Sequence, residues 1–451
     1  MIASLGGVEY FEGQCLAFLK NPQTNPQNEQ CIPGVFSYQE NKISFSFMVS
    51  GEIEEIHSLQ YQTLYIVDNK KRYTLYKPYN RIILGHVLGH PTTITLYYEW
   101  LFGDHIDPNK IKGECFVCRT NYLESFFTTK KHLLPDALFK VDESGCESYH
   151  GNNDNNFILQ SFYIQNDFLS QKYEKDKIKA RSNTLFSKRQ NRLLTYQFDL
   201  FLECNMIFET LEELALIAEA IKNFFILIYA HSNFDIQIDY IQFKLSNKDI
   251  TAIRNTYKKD KKSMEIDDPY GIAINFQRID NFSVILEKWI DFYIKDDRGF
   301  QLESILDIIN KKDPIIHLYS DMFVLISMIE SFLKKSQQTK LHEKLSEFFK
   351  ISLSRTKCDQ TKNYFNDNYQ KDLIQRIVDY RNNLAHGRSL KLDTNKATDI
   401  SHAFIDFKQI VIEFFFGEIG LSGFITNNFG FLNKVKLRNP PKTEKIAEPN
   451  R

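Results

Sequence analysis

The spacing of the hydrophobic residues changes near residue 210, and this change divides the chain into two kinds of structure. Up to about residue 205, runs such as KISFSFMVSG (42–51) and TTITLYYEWLF (92–102) alternate apolar and polar residues, which is typical of β-strands. Thr210 and Glu213 then have the spacing of a capping box, and the apolar residues that follow recur at helical spacing. The sequence predicts an α+β fold, in which a β-rich sandwich or barrel-like domain precedes an all-α helical bundle.

Three stretches within this outline carry more local predictions. The residues DNKK (68–71) separate two alternating runs and predict a hairpin with a four-residue polar turn. The segment FDIQIDYIQFKL (234–245) predicts a strand pair. The polar run KKDKKSMEIDDPYG (258–271) is the best linker candidate, so we expect domains at 1–275 and 276–432, followed by a basic, flexible tail at 433–451.

Composition limits the class of protein. The chain of 451 residues is 43% hydrophobic and 25% charged, which is ordinary for a globular protein. Its net charge of −1 means that any nucleic-acid-binding site must be local. The opening residues lack the features of a signal peptide, and the longest apolar run, FFILIYA, is too short to span a bilayer. Seven scattered cysteines are typical of a reducing compartment, so we expect a cytoplasmic protein without membrane contacts.

The segment LIQRIVDYRNNLAHG, near the end of the chain, predicts a helix that presents different chemistry on its different sides. At 100° per residue, one apolar line is formed by Leu373, Ile377, Tyr380 and Leu384. A polar line is formed by Gln375, Asp379, Asn382 and His386. A third line, the Arg381 line, is formed by Ile374, Val378, Arg381 and Ala385. A guanidinium on this mostly apolar edge must either extend to water or be met by another group.

Arg381, Asn382 and His386 have the chemistry needed to cleave RNA. Arginine binds phosphate through a planar fork, and histidine accepts or donates a proton near neutral pH. The small Ala385 lies between Arg381 and His386, so both side chains could reach one phosphate. The alternative is an ordinary surface: a histidine in the last turn is favoured by the helix dipole, and an arginine often makes surface ion pairs.

The sequence around this helix supports the first interpretation. Apolar residues recur at helical spacing after it, at Ile400, Ala403, Phe404, Phe407, Val411 and Phe414. A further apolar helix with Glu330 in its middle precedes it. A bundle whose penultimate helix carries Arg-Asn-x-x-x-His followed by Gly resembles the HEPN ribonuclease superfamily. The whole chain is most similar to the ApeA-type anti-phage proteins of that superfamily, in which a β-rich N-terminal domain precedes the HEPN domain.

The resemblance implies a metal-independent endoribonuclease that needs no cofactor and acts in antiviral defence by abortive infection. Its catalytic residues would be Arg381, Asn382 and His386, and the neighbouring Arg376 and Arg388 are substrate-binding candidates. The substrate's 2′-OH would attack the adjacent phosphate and leave a 2′,3′-cyclic phosphate. The implied partners are RNA, with tRNA loops as candidate targets, a homodimer or higher homo-oligomer, and a phage protein as trigger.

Two other roles stay open at this point. The first is a non-catalytic protein, in which the bundle only dimerises and the sheet domain binds a phage component. The second keeps the ribonuclease but makes the sheet domain its inhibitory or sensing part.

Other patterns carry weaker predictions. Residues 172–192 hold eight basic residues against two acidic ones, and residues 254–262 hold five against one; either stretch could follow an RNA backbone or be a solvated loop. Arg81 and His86 repeat the Arg–His spacing, but in a stretch that reads as strand and turn. Cys115, Cys118, Cys146 and His150 are ligand types that zinc accepts. Because Cys115 and Cys118 fall in a predicted strand, two unrelated thiols are the favoured interpretation.

Overall fold

A computed structural model describes most of the chain, and the account below concerns only the residues it describes. These are 10–23, 31–39, 42–49, 61–68, 71–84, 91–120, 139–141, 147–149, 157–158, 178–186, 196–229, 236–255, 282–295, 299–310, 318–333, 340–356, 359–386 and 394–421. The chain divides into two compact units. One contains residues 1–124, 134–222 and 236–262, and the other contains 125–133, 223–235 and 263–451. The predicted boundary at 275/276 and the predicted tail lie outside the described residues.

The first unit is built on antiparallel strands, as the alternating pattern predicts. The strands are β1 (Tyr10–Phe18), β2 (Cys31–Gln39), β3 (Lys42–Val49), β4 (Thr63–Asp68), β5 (Lys71–Leu84), β6 (Thr92–Phe102), β7 (Phe116–Thr120), β8 (Phe139–Val141), β9 (Glu147–Tyr149), β10 (Phe157–Ile158), β11 (Ile178–Phe186), β12 (Tyr196–Cys204), β13 (Ile238–Leu245) and β14 (Lys248–Arg254). β8 and β9 form a small sheet of their own, and the other twelve form one sheet.

Six of these strands close on themselves. The order β6-β3-β2-β1-β4-β5 ends with β5 pairing back to β6, for example at Ile83↔Ile94. The result is a barrel whose inward residues come from every second position of each strand. The interior is filled by Phe36, Ile43, Phe45, Phe47, Leu64, Ile66, Leu75, Ile94, Leu96 and Tyr98. The barrel-like alternative of the predicted β-rich domain is therefore confirmed.

The other six strands of the large sheet extend it from the end of β6. β14 pairs with it at Ala252↔Phe102, and the order continues through β13, β7, β12 and β11 to β10. The prediction of a strand pair within 234–245 is wrong, because that segment contributes the single strand β13, which pairs with β14. The two strands are joined by Ser246 and Asn247, whose φ angles of 49° and 66° suit a type I′ turn. A Ser-Asn pair is a weak signal for this turn, so the sequence did not reveal it.

The hairpin of β4 and β5 is real, but its turn is shorter than predicted. Asp68 and Lys71, predicted to lie in the turn, are paired with each other in the ladder. Only residues 69 and 70 separate the two strands, and they lie outside the described residues.

Eight α-helices lie within the described residues. They are α1 (Leu211–Ile228), α2 (Phe282–Ile294), α3 (Gly299–Asn310), α4 (Leu318–Phe332), α5 (Leu341–Arg355), α6 (Asp359–Tyr364), α7 (Asp367–Ala385) and α8 (Thr394–Ile419). At the start of α1 the Thr210 hydroxyl accepts a hydrogen bond from the Glu213 N–H at 3.1 Å, as the predicted capping box requires. The Glu213 carboxylate accepts from the N–H of Glu209 rather than that of Thr210.

The helical unit has its own hydrophobic core around α8. This helix packs against α5, α7, α4 and α2, and α7 also packs against α5 and α4. The predicted apolar positions of α8, from Ile400 to Phe414, are all buried. Trp289 of α2 contacts the ring of Phe415, and the two pack at 89° to each other. The core thus fixes α7 among three neighbouring helices, and α7 carries the candidate site.

Candidate functional site

The helix α7 begins at Asp367, before the segment predicted to be helical, and ends at Ala385, within that segment. The side chain of Asn366 accepts a hydrogen bond from the Tyr369 N–H at 3.1 Å, which caps the first turn. Leu373 and Ile377, from the predicted apolar line, are fully buried in the bundle. At the other end, the His386 N–H donates to the Asn382 carbonyl at 3.1 Å, so the helix ends at this histidine. The apolar line therefore orients α7, and His386 lies at its C-cap.

The predicted polar line lies on the surface. Gln375, Asp379, Asn382 and His386 are all exposed. Gln375 Nε2 donates a hydrogen bond to Asp379 Oδ1 at 2.9 Å, so these two side chains bind each other. Asn382 and His386, one turn apart on the same side, are accessible to a ligand from solvent.

Arg381 is met by a partner within the bundle. Its side chain is 31% exposed, and its Nη2 lies 3.5 Å from the Oε2 of Glu330 on α4. On the same Arg381 line, Ile374 is buried, Val378 is partly buried and Ala385 is exposed. Exposure along the Arg381 line therefore increases from the core at Ile374 to the surface at the C-terminal end of α7. Ile374 is therefore covered by the protein's own bundle, whereas Arg381 and Ala385 reach the surface.

Glu330 also has a second cationic neighbour. Lys344 on α5 places its Nζ 3.6 Å from the Oε1 of Glu330, and the lysine side chain is only 15% exposed. We call Arg381, Glu330 and Lys344 the Glu330 cluster. Sequence analysis missed the roles of Glu330 and Lys344. The available signal for Glu330 was a carboxylate that follows a run of apolar residues, although α4 ends at Phe332, so Glu330 lies in its last turn and not in its predicted middle. Lys344 lies in an ordinary amphipathic segment that gives no such signal.

Arg376, predicted to bind substrate, is engaged by carboxylates of the protein. Its Nη1 lies 2.7 Å from Asp399 Oδ1, and its Nη2 lies 2.9 Å from Asp372 Oδ2. The Tyr380 hydroxyl donates to the other oxygen of Asp399 at 2.8 Å. Although burial disfavours the charged form, the two carboxylates raise the pKa of Arg376 above its ordinary value. Arg376 thus ties α7 to α8, and its substrate contact stays a prediction; Arg388 lies outside the described residues.

The structure describes two of the four residues proposed as zinc ligands. Cys118 is fully buried on β7, and burial raises the pKa of its thiol well above the usual range, so it is held as a neutral thiol. Cys115 lies just before the strand and is partly exposed. Cys146 and His150 lie outside the described residues. Over the part of the chain that the structure describes, no three His, Cys, Asp or Glu residues are grouped so that they could hold a metal ion.

The second Arg–His match and the two basic stretches lie partly on strands and partly outside the described residues. Arg81 lies on β5, as expected for the discounted Arg–His match, and His86 is outside the described residues. Of the basic stretch at 172–192, residues 178–186 form β11. Of the second basic stretch, only Arg254 and Asn255 are described, and Arg254 pairs with Glu99 at 3.0 Å.

Comparisons of the chain with known protein families, with curated proteins and with solved structures give no match. Among the described helices, none combines the length and apolar character that crossing a membrane requires. The functional argument therefore depends on the residues of α7 and their surroundings.

Proposed function

We propose that this protein is a metal-independent endoribonuclease of the HEPN type, with its active site at the C-terminal end of α7. One observation carries the proposal: Arg381 is held half-buried by a carboxylate, while Asn382 and His386 are exposed on the adjoining side of the same helix end. A fixed cation next to an accessible imidazole suits phosphate binding with proton transfer.

The proposed reaction uses a nucleophile that the RNA itself supplies. The 2′-oxygen forms a bond to the adjacent phosphorus, and the bond from phosphorus to the 5′-oxygen of the next nucleotide breaks. His386 takes the proton of the 2′-OH or gives a proton to the leaving 5′-oxygen. Arg381 stabilises the negative charge that builds up on the non-bridging oxygens, and Asn382 orients the imidazole or binds the phosphate. The products are a 2′,3′-cyclic phosphate and a 5′-OH.

A single histidine cannot easily act as base and acid in one step, which favours a homodimer. In a two-fold dimer, two copies of α7 would bring two sets of Arg381 and His386 to one groove. At the exposed end of the Arg381 line, the small and uncharged Ala385 would let the second copy pack closely. By resemblance to the ApeA-type proteins, the biological role we propose is abortive infection, with structured RNA such as tRNA loops as substrate.

The second candidate is a non-catalytic dimerising or sensing protein. It is favoured by the same contact that holds Arg381, because an ion pair between α7 and α4 is also what a purely structural bundle would contain. The two functions differ in what the exposed residues do: only the ribonuclease needs His386.

The test is single-turnover cleavage of total tRNA by the purified chain and by its His386→Ala variant. We expect the variant to cleave at least about a hundredfold more slowly, the usual scale for a general acid–base group. Gln375→Ala is the matched control, since Gln375 is exposed on the same polar line but about 16 Å from His386 along the helix. Equal cleavage by the intact protein and the folded His386→Ala variant would remove His386 from the catalytic set. No cleavage by the intact protein would favour the non-catalytic role.

A further inference from the structure

The Glu330 cluster contains one carboxylate and two cations. Arg381 Nη2 lies 3.5 Å from one carboxylate oxygen of Glu330, and Lys344 Nζ lies 3.6 Å from the other. The formal charge of the three side chains is therefore +1. All three are less than one-third exposed, so their charges are only partly screened by water.

Without Lys344, the remaining pair of Arg381 and Glu330 would be neutral. A neutral pair attracts a phosphate far less than a free guanidinium does, because the carboxylate repels the same anion that the arginine attracts. Lys344 offsets the charge of Glu330, so the cluster keeps the positive charge that an arginine in a phosphate site needs. This electrostatic role does not require Lys344 to touch the ligand.

The lysine also limits how Glu330 holds the arginine. A carboxylate with two available oxygens commonly binds a guanidinium through two parallel hydrogen bonds. Here one oxygen faces Lys344, and Glu330 approaches the guanidinium through the other, at Nη2. The Nε of Arg381 is buried and makes no hydrogen bond within the described part of the chain. Part of the donor fork of Arg381 is therefore not committed to Glu330.

The position of the cluster in the bundle places it at the candidate site. Glu330 is in the last turn of α4, Lys344 is near the start of α5, and Arg381 is in the last two turns of α7. Three helix ends thus converge beside the end that carries His386. The low exposure of Lys344 means that its charge is held in place instead of moving freely in water.

We propose that Lys344 is a positioning residue of the Arg381 site, which neutralises Glu330 so that Arg381 can bind the phosphate of RNA. The inference rests on the proposed function in naming RNA as the source of the phosphate. The competing role for Lys344 is structural: it would only join α5 to α4 through Glu330.

The experiment measures RNA binding separately from RNA cleavage. The probe is a fluorescein-labelled, fully 2′-O-methylated RNA of mixed sequence, which lacks the attacking hydroxyl, and its binding is followed by fluorescence anisotropy. The variants are Lys344→Met, Lys344→Arg, and Lys344→Met combined with Glu330→Gln. Lys350→Met, at an exposed position of the same helix, is the matched control for losing one lysine charge. Cleavage of total tRNA by the intact chain is measured in parallel.

We expect Lys344→Met to weaken binding by about tenfold, the order expected for losing one partly screened charge near a phosphate. Lys344→Arg, which keeps the charge, and Lys350→Met should bind like the intact chain. Adding Glu330→Gln to Lys344→Met should restore most of the affinity, because the carboxylate that needed neutralising is gone. A structural lysine would not show this rescue, since the second substitution also removes the Glu330 carboxylate that pairs with Arg381.

Three results would overturn the inference: unchanged binding by Lys344→Met, no rescue by Glu330→Gln, or no binding of the probe by the intact chain. Helical content is checked by circular dichroism, and Lys344→Gln is a second neutral variant; if neither neutral variant folds, the lysine is structural. If the intact chain binds the probe but does not cleave tRNA, the ribonuclease proposal fails while the binding comparison still decides the role of Lys344.

Discussion

Arg381 and Glu330 are 51 residues apart in the chain, yet the guanidinium Nη2 of one lies 3.5 Å from a carboxylate oxygen of the other. The contact connects α7 to α4 and fixes the arginine at the helix end where Asn382 and His386 are exposed. The contact therefore restricts where the guanidinium can lie relative to Asn382 and His386.

The first prediction concerns the shape of the cation. Arg381→Lys should lower single-turnover cleavage on the order of a hundredfold, since a point charge replaces a planar fork that stabilises transition-state charge. The helical content should not change, because lysine can still pair with Glu330. The measurement is the rate with saturating enzyme, and a rate within about twofold of the intact protein would remove Arg381 from the catalytic set.

The second prediction concerns metal and products. Cleavage should continue in EDTA and should leave 2′,3′-cyclic phosphate ends, because the attacking oxygen and the proton acceptor are supplied by the RNA and by His386. A 2′-deoxy substitution at the cut site should block the reaction. The ends are identified by mass spectrometry. Loss of activity in EDTA that magnesium restores, or 5′-phosphate products, would instead indicate a metal nuclease.

The third prediction concerns assembly, and it compares two residues of the Arg381 line. Val378 is partly exposed, whereas Ile374 one turn earlier is 3% exposed in the bundle core. Val378→Glu should therefore give folded monomers that no longer cleave RNA, while Ile374→Glu should unfold the helical unit because it buries an unpaired charge. Light scattering gives the mass, and circular dichroism gives the helicity. An active Val378→Glu monomer would rule out a site shared between two copies.

The fourth prediction concerns stability and pH. Glu413 is fully buried on α8, and burial raises the pKa of its carboxyl, although hydrogen bonds from Thr356 at 2.6 Å and Gln409 at 3.2 Å act in the opposite direction. The folded state thus holds this proton more tightly than the unfolded state does. The contribution of Glu413 to stability is largest below its unfolded pKa and is lost as the pH rises through the raised folded pKa.

Glu413→Gln should remove this loss and stabilise the helical unit by about 1 kcal/mol at neutral pH. The new amide can donate to Gln409 Oε1, which is buried without a hydrogen-bond partner in the described structure. Urea unfolding near pH 5 and at neutral pH measures the difference between the variant and the intact protein. Glu343→Gln, at an exposed position of α5, is the control. A variant that is less stable than the intact protein at neutral pH would contradict the argument.

The sequence by itself determined the features that depend on local spacing. The period of two in β3 and β6 and the period of α7 determine which side of each element is apolar, so the buried side of these two strands and the buried Leu373 and Ile377 followed from pattern alone. The exposure of Asn382 and His386 followed for the same reason. These predictions hold because each concerns one element and needs no knowledge of its neighbours.

The tertiary structure decided which groups meet across elements. Helical spacing puts Arg381 on an apolar edge, but only the packing of α7 on α4 and α5 brings Glu330 and Lys344 to it. The pairing of Arg376 with Asp399 on α8, and the closure of the barrel through β5 and β6, are likewise non-local. Periodicity shows which face of an element must be covered, whereas the covering element is chosen by the packing of the whole chain.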